Sequence, residues 1–256
     1  MLLEQSNDEF QSKNQGMCNN NVTTAKYSIW NFVPLNLFNQ FKKLANCYFL
    51  VITFMQTIKS ISISNGTPAM AFPLTVIVII SMCKDAYEDR KRHIEDASEN
   101  EADCEVYDKV SKTFKKKMWR EIRVGNVVKV KENEMIPCDL ITLNSSDPKG
   151  VLYVETKGLD GETNLKIKSV HKTFLEEFKT DSDISKLKGQ ILCERPNNAI
   201  YKFEGYAEGV VTSHQEKISL NNDFQILRGM SLRNTNSIYG ICIFTGHDTK
   251  VMQNSA

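Results

Sequence analysis

Two apolar runs near the N-terminus constrain this chain more than any other feature. The first reads LANCYFLVITFMQTIKSISI over residues 44–63, and the second PAMAFPLTVIVIISMC over residues 68–83. A membrane-spanning helix takes roughly 20 residues. The first run contains Gln56 and Lys59, and the second contains Pro73 and gains length only by continuing through Ala86 and Tyr87. On length alone, a pair of buried core helices in a soluble domain stays open. Three features point to a hairpin in a bilayer. The runs are joined by the short polar loop Ser64-Asn65-Gly66-Thr67, read here as a turn although it also fits a glycosylation sequon. Lys42 and Lys43 precede them, and Lys84, Arg90, Lys91 and Arg92 follow, which puts both outer ends on the cytosolic side. Lys59 lies near the far end, where its stem can snorkel to the opposite headgroups.

The rest of the chain is aqueous in character. With 32 basic and 31 acidic residues the net charge is +1, so no global attraction to nucleic acid is expected. Seven scattered cysteines form no C-x-x-C pair, which argues against a zinc or redox motif and for reduced thiols. Residues 1–25 are rich in Asn and Gln, lack the apolar core of a signal peptide, and read as a disordered cytosolic tail. Residues 26–43 are a juxtamembrane segment. The membrane hairpin and its stalk take residues 44–96, with helices at about 44–63 and 68–88. The stalk, KDAYEDRKRHIEDASENEAD, reads as a solvated helix with charges at i,i+4 spacing; Asp85 and Asp89 form a like-charged exception, and His93 is a surface residue.

From about Cys104 the texture turns to short β-rich runs separated by turn residues. Strands are expected at 104–110, 126–132, 140–145, 151–156, 165–170, 199–206, 224–229, 231–234 and 238–244, with one helical insert over 172–188. The fold class expected is an α-helical transmembrane hairpin plus a mainly β domain with a small helical insert.

One loop of that domain stands out. Lys157-Gly158-Leu159-Asp160-Gly161-Glu162-Thr163-Asn164 bridges VLYVET and LKIKSV. By itself it is an Asp-Gly hairpin turn with solvated side chains.

The loop has company. PLNLFNQFKKLANCYFL (34–50), KDAYEDRKRH (84–93), VGNVVKVKENEMIPCDLITLNSSDP (124–148), YVETKGLDGETNLK (153–166), CERPNN (193–198), LRGMSLRNT (227–235) and FTGHDTKVMQNS (244–255) follow one another along the chain. In this order they resemble the front part of a P-type ATPase of the lipid-flippase (type IV, phospholipid-transporting) branch. The resemblance implies the first two membrane helices, an actuator domain over 97–250 with a distorted jelly-roll fold, and a truncated lead-in to a third helix at 251–256. It implies that the actuator loop removes phosphate from an aspartyl-phosphate. A carboxylate suits that step because it can orient a water in line with the P–O bond and take its proton. Glu162 is the first candidate. Gly161 permits close approach, Thr163 offers a hydroxyl, and Asp160 shapes the turn. The resemblance also places Gln56 and Thr57 at the polar positions of a lipid-entry site.

The whole-protein expectations are ATP-driven movement of phospholipid toward the cytosolic leaflet, multi-pass membrane insertion with the N-terminus and actuator domain cytosolic, and ATP and Mg2+ bound elsewhere. The partners implied are phospholipid, the membrane, the remainder of the ATPase polypeptide and an accessory transmembrane glycoprotein. This chain has no D-K-T-G-T sequence and no Walker A motif, so it is expected to bind neither cofactor nor metal by itself. The alternative is a truncated, membrane-tethered actuator fragment without catalysis, serving as an interaction module or as a non-functional product. Three local departures from the family are Asn126 for Asp in the VGD turn, Lys59 for a proline, and Thr156-Lys157-Gly158 before LDGET.

Overall fold

The computed structural model describes residues 17–59, 66–210 and 217–255. It is mainly β, with a few helices. The chain divides into two compact units, Thr23–Ser98 and a second one made from residues up to Val22 together with Glu99 onward.

The Thr23–Ser98 unit holds α1 (Phe32–Phe41), α2 (Leu44–Thr57) and most of α3 (Ala71–Asn100). Pro34 and Pro73 fall in the first turns of α1 and α3, where the missing N–H has no intrahelical partner to lose. Among the described residues no helix is long and apolar enough to cross a membrane. The 14 residues of α2 rise about 21 Å at 1.5 Å each, against a hydrocarbon core of about 30 Å. The 30 residues of α3 are apolar only through Cys83. The expected continuation of the first run through residues 60–63, and the Ser64-Asn65 half of the expected turn, lie outside the described residues.

The charged half of α3 has a more specific task than solvation. Asp85, Asp89, His93 and Asp96 recur at helical spacing along one face. Asp96 accepts from the backbone N–H groups of Thr24 and Ala25 and from the Thr24 hydroxyl. Asp89 accepts from Lys26 N at 2.8 Å, and His93 Nε2 lies 2.9 Å from the Tyr27 carbonyl. Asp85 Oδ2 accepts from Asn36 and Gln40 of α1 at 2.8 and 2.9 Å. The like-charged pair Asp85 and Asp89 is thus tolerated because each carboxylate has its own donors.

Among its described residues the second unit contains three antiparallel sheets. The largest has the order β10-β4-β12-β3-β1-β2, built from β1 (Asp103–Asp108), β2 (Thr113–Met118), β3 (Val127–Lys131), β4 (Asp139–Ser145), β10 (Gln225–Ile226) and β12 (Ser237–Phe244). A second sheet joins β5 (Val151–Glu155) to β6 (Leu165–Ser169) and β11 (Ser231–Arg233), and a third joins β7 (Gln190–Cys193), β8 (Glu204–Glu208) and β9 (Ile218–Asn221). Among the described residues all of these strand pairings are antiparallel. Every residue of β4 is buried, and Leu140, Ile141, Leu143, Leu152, Val154 and Ile241 are fully buried in one core.

Several expectations change. The helical insert over 172–188 is broken. It consists of a short α5 (Lys172–Glu177) and a 3₁₀ turn at Asp183–Lys186. The cause is local: Asp183 Oδ2 accepts from both the N–H and the hydroxyl of Thr180, an alternative to helical pairing. Phe174, Phe178, Ile184 and Leu187 still reach the core. The strand expected at 199–206 begins only at Glu204, and the one at 224–229 shrinks to two residues. β2, β7 and β9 were not expected. β2 carries Lys115-Lys116-Lys117 and forms an edge of its sheet, where lysines are common and a hydrophobic run is not required.

The expected disordered tail over 1–25 also needs correction within the described residues; residues 1–16 lie outside them. Asn20 is fully buried. Its Nδ2 donates to the carbonyls of Trp119 and Pro137 at 2.9 and 3.1 Å, and its Oδ1 accepts from Arg228 and from Gly246 N at 3.0 and 2.9 Å. Asn100 adds a reciprocal pair with Val22, at 2.9 Å to its N–H and 2.7 Å to its carbonyl. A polar, Asn-rich stretch reads as disordered by composition, yet these amides match buried backbone groups that need partners.

Candidate active-site loop

The loop from β5 to β6 is not a two-residue hairpin turn. After Thr156 the chain makes a single helical turn, α4 (Lys157–Asp160), that ends at Gly161 in the left-handed conformation with φ 76°. A residue with a side chain would be strained there, whereas glycine is not. Among the described residues, no atom beyond Gly161 and its two chain neighbours lies within 4 Å of where a Gly161 Cβ would sit, so it is the backbone angle and not crowding that calls for glycine. Glu162 and Thr163 follow at once, both exposed.

Asp160 organises this turn. Its carboxylate accepts from the Thr156 hydroxyl at 2.9 Å, from Glu162 N at 2.9 Å, from Lys166 Nζ at 2.5 Å and from the Tyr201 phenol at 3.1 Å. The Lys166 ammonium, helped by the Glu162 N–H and the Thr156 hydroxyl, holds the Asp160 carboxyl well below the usual carboxylate range. The same bond raises the Lys166 ammonium above the ordinary lysine value. Lys166 also reaches Glu162 Oε2 at 3.2 Å, so one ammonium serves both carboxylates. The Glu162 side chain remains 57% exposed. Asp160 therefore faces inward with its lone pairs occupied, while Glu162 points a partly free carboxylate to solvent.

Behind the loop lies a cavity of about 190 Å³ lined by Thr156, Asp160, Lys166, Lys168 and Tyr201 among others. Lys168 is buried there, donates to the Asn222 carbonyl at 2.5 Å, and is pushed down to about 8 by burial. The sequence reading missed Lys166, Lys168 and Tyr201 as parts of this site. Lys166 had a local signal, since it stands four residues after Glu162. Tyr201 had none: it is 41 residues from Asp160.

Two further segments of the resemblance meet in the β unit. Lys250 is fully buried, and its ammonium donates to Glu194 at 2.8 Å, Asn197 at 2.9 Å, the Ala199 carbonyl at 3.0 Å and the Lys202 carbonyl at 2.7 Å. CERPNN and FTGHDTK are therefore one structure, joined by a lysine. Asn126 makes the turn expected of it: its Oδ1 accepts from Arg123 N at 2.9 Å beside Gly125, φ 86°.

The remaining candidates lie in the other unit. Gln56 Oε1 accepts from Met70 N at 3.1 Å, and the Thr57 hydroxyl donates to the Phe54 carbonyl of its own helix at 2.6 Å.

Comparison with known proteins agrees with this arrangement of motifs. The family model for the N-terminal region of phospholipid-translocating ATPases matches residues 4–70. The chain is 38% identical over 249 residues to phospholipid-transporting ATPase DRS2 of Saccharomyces cerevisiae, covering 97% of this chain and 18% of that protein. It is 37% identical over 255 residues to phospholipid-transporting ATPase FetA of Mus musculus, covering 99% of this chain and 21% of that one. With phospholipid-transporting ATPase 1 of Arabidopsis thaliana it shares 39% identity, over 93% of this chain and 20% of the relative.

The chain belongs to the phospholipid-transporting P-type ATPases. It corresponds to the N-terminal part of these type IV ATPases and spans about a fifth of their length. Within this chain the loop from Leu159 to Lys166, with its neighbouring carboxylates Asp160 and Glu162, is the candidate site.

Proposed function

We propose that this chain is the actuator portion of an ATP-driven phospholipid flippase, and that its Asp160–Thr163 loop promotes hydrolysis of an aspartyl-phosphate carried by the remainder of the ATPase polypeptide. The observation that supports this most is the division of labour between two neighbouring carboxylates. Asp160 is tied down by Thr156, Lys166 and Tyr201, and Glu162 is presented to solvent on the far side of Gly161.

In this reading Glu162 orients a water for attack on phosphorus and accepts its proton as the P–O bond to the aspartate breaks. The Gly161 backbone lets the loop approach the phosphate without a side chain in the way, and the Thr163 hydroxyl hydrogen-bonds the water or a phosphate oxygen. Lys166 offsets the repulsion between the phosphate and two carboxylates. ATP and Mg2+ would be held by the remainder of the polypeptide, and no residue described here is assigned to them.

α2 and α3 form the membrane hairpin in this proposal, with Gln56 and Thr57 near a lipid-entry path and transport directed toward the cytosolic leaflet. Leu44, Phe54, Phe72 and Ile80 are largely exposed on these two helices, a surface suited to acyl chains. The N-terminus and actuator domain are cytosolic in this arrangement, and an accessory transmembrane glycoprotein is an expected partner.

The test is Glu162→Gln in the complete ATPase polypeptide. The phosphoenzyme should form from ATP and persist through a chase with unlabelled ATP, while lipid transport stops. A variant whose phosphoenzyme decays at the normal rate would remove Glu162 from the hydrolytic step.

A further inference from the structure

Positive charge is segregated in this chain. The whole chain carries a net charge of +1, yet residues 109–123, KVSKTFKKKMWREIR, hold seven Lys or Arg against the single Glu121. The stretch includes β2 and the 3₁₀ turn Trp119–Glu121. Lys115 pairs with Asp108 across the hairpin. Among the described residues no carboxylate lies within ion-pairing distance of Lys116, Lys117 or Arg120. Elsewhere in this unit cations such as Lys131, Lys166, Lys186 and Arg233 have acidic partners.

Lys117, Arg120 and Arg123 border a cleft of about 700 Å³, open to solvent, that Asn19 and Asn21 also line. Glu121 also lines it, but its Oε2 accepts from Met118 N at 3.3 Å, which turns that carboxylate to capping the 3₁₀ turn. The lining segments are pinned together. Asn20 lies between the two lining asparagines, and its Nδ2 donates to the Trp119 carbonyl at 2.9 Å. Trp119 and Ile122 are buried beneath the turn. Arg123 donates to the carbonyls of Arg120 and Ile122 at 3.0 and 3.1 Å, which fixes its guanidinium at the rim. Like charges held together on a rigid frame repel one another, and a multivalent anion relieves that repulsion. Guanidinium and amide N–H groups are donors suited to phosphate oxygens.

We infer that the cleft between Asn19–Asn21 and Lys117–Arg123 is a binding site for a multiply charged phosphate ligand. The ligand is recognised by Lys117, Arg120 and Arg123 as cations and by the two asparagine amides as neutral donors. The chemistry is shared by soluble polyphosphates and by phosphomonoester lipid headgroups. The site is separate from the Asp160–Thr163 loop and stands whether or not that loop hydrolyses a phosphoenzyme.

The test uses the whole chain in phosphatidylcholine nanodiscs, titrated with inorganic tripolyphosphate by calorimetry. Saturable binding is expected, weakening as salt rises because the contacts are ionic. Lys117→Glu/Arg120→Glu should weaken it at least about tenfold. Lys117→Ala/Arg120→Ala, which adds no new charge, should weaken it in the same direction with the melting temperature unchanged. Lys186→Ala, at a paired cation elsewhere in the unit, should leave it as it was. Adding phosphatidic acid to the nanodiscs separates the sources. A fall in apparent tripolyphosphate affinity assigns the cleft to a lipid headgroup, and an unchanged affinity assigns it to a soluble polyphosphate. The inference is overturned if tripolyphosphate does not bind saturably, or if both double variants bind it as tightly as the unaltered chain.

Discussion

Tyr201 donates its phenol proton to Asp160 Oδ2 across 3.1 Å, and its ring lies under the Lys166 ammonium, 5.1 Å from the centroid. One aromatic residue between β7 and β8 thereby touches both charged partners that shape the turn before Glu162. Tyr201→Phe keeps the ring and removes the hydrogen bond. A bond of this kind is worth about 1 kcal/mol, so loop amides, Glu162 N–H above all, should exchange with deuterium up to about tenfold faster. Unchanged exchange at Glu162 would show that Thr156 and Lys166 alone hold the turn.

Asn20 uses its donors and acceptors on groups from four distant segments, around Trp119, Pro137, Arg228 and Gly246. Asn20→Ala strands two carbonyls, one backbone N–H and an arm of the buried Arg228. The expected loss is about 3 kcal/mol of unfolding free energy for the β unit, read from urea denaturation. Gly246 belongs to the same contact. It has φ 53° and leaves no room for a Cβ against the Asn19 carbonyl, so Gly246→Ala should be destabilising as well.

Lys250→Met isolates the ammonium from the aliphatic stem. The volume is nearly kept, while Glu194, Asn197 and two carbonyls lose their donor. Removing one partner of a buried ion pair costs about 3 kcal/mol, and the midpoint of urea unfolding should fall accordingly. A loss below about 1 kcal/mol would mean that water reaches these acceptors.

Asp139 gives a pH signature. It is fully buried, and burial raises its carboxyl to about 6, against the opposing pull of the N–H groups of Arg228 and Lys250 at 2.8 and 2.9 Å. A folded-state pKa above the unfolded one means that the folded state binds the proton more tightly. Its contribution to stability is then present at low pH and is lost as pH rises from about 4 to about 6. Stability measured against pH should therefore fall across that window more steeply in the unaltered chain than in Asp139→Asn, which has no proton to lose. Parallel curves would show that Asp139 titrates at its ordinary value.

The sequence carried what depends on neighbours along the chain. The alternation of LKIKSV, the apolar run of IYGICIF and the glycine of Asp160-Gly161-Glu162 each report a local conformational need, and the ordered motifs carried the family. The i,i+4 charge spacing and the continuation from the apolar run mark the charged half of α3 as helical. What Asp85, Asp89 and Asp96 do there was not legible, because their donors come from residues 24–40.

Only the tertiary structure decided the partners of isolated polar residues. Asn20, Tyr201 and Lys250 each stand in a sequence context that permits solvent exposure. A buried hydrogen bond depends on which distant backbone group arrives beside the side chain, and no period or composition encodes that meeting. β2 shows the same limit from the other side. Its lysines hide a strand from any hydrophobic pattern, and its place at the sheet edge emerges only when β1 is laid beside it. Local sequence thus marked where the loop lies and which carboxylates it carries, and chain folding decided its helical turn and brought Tyr201 to hold it in place.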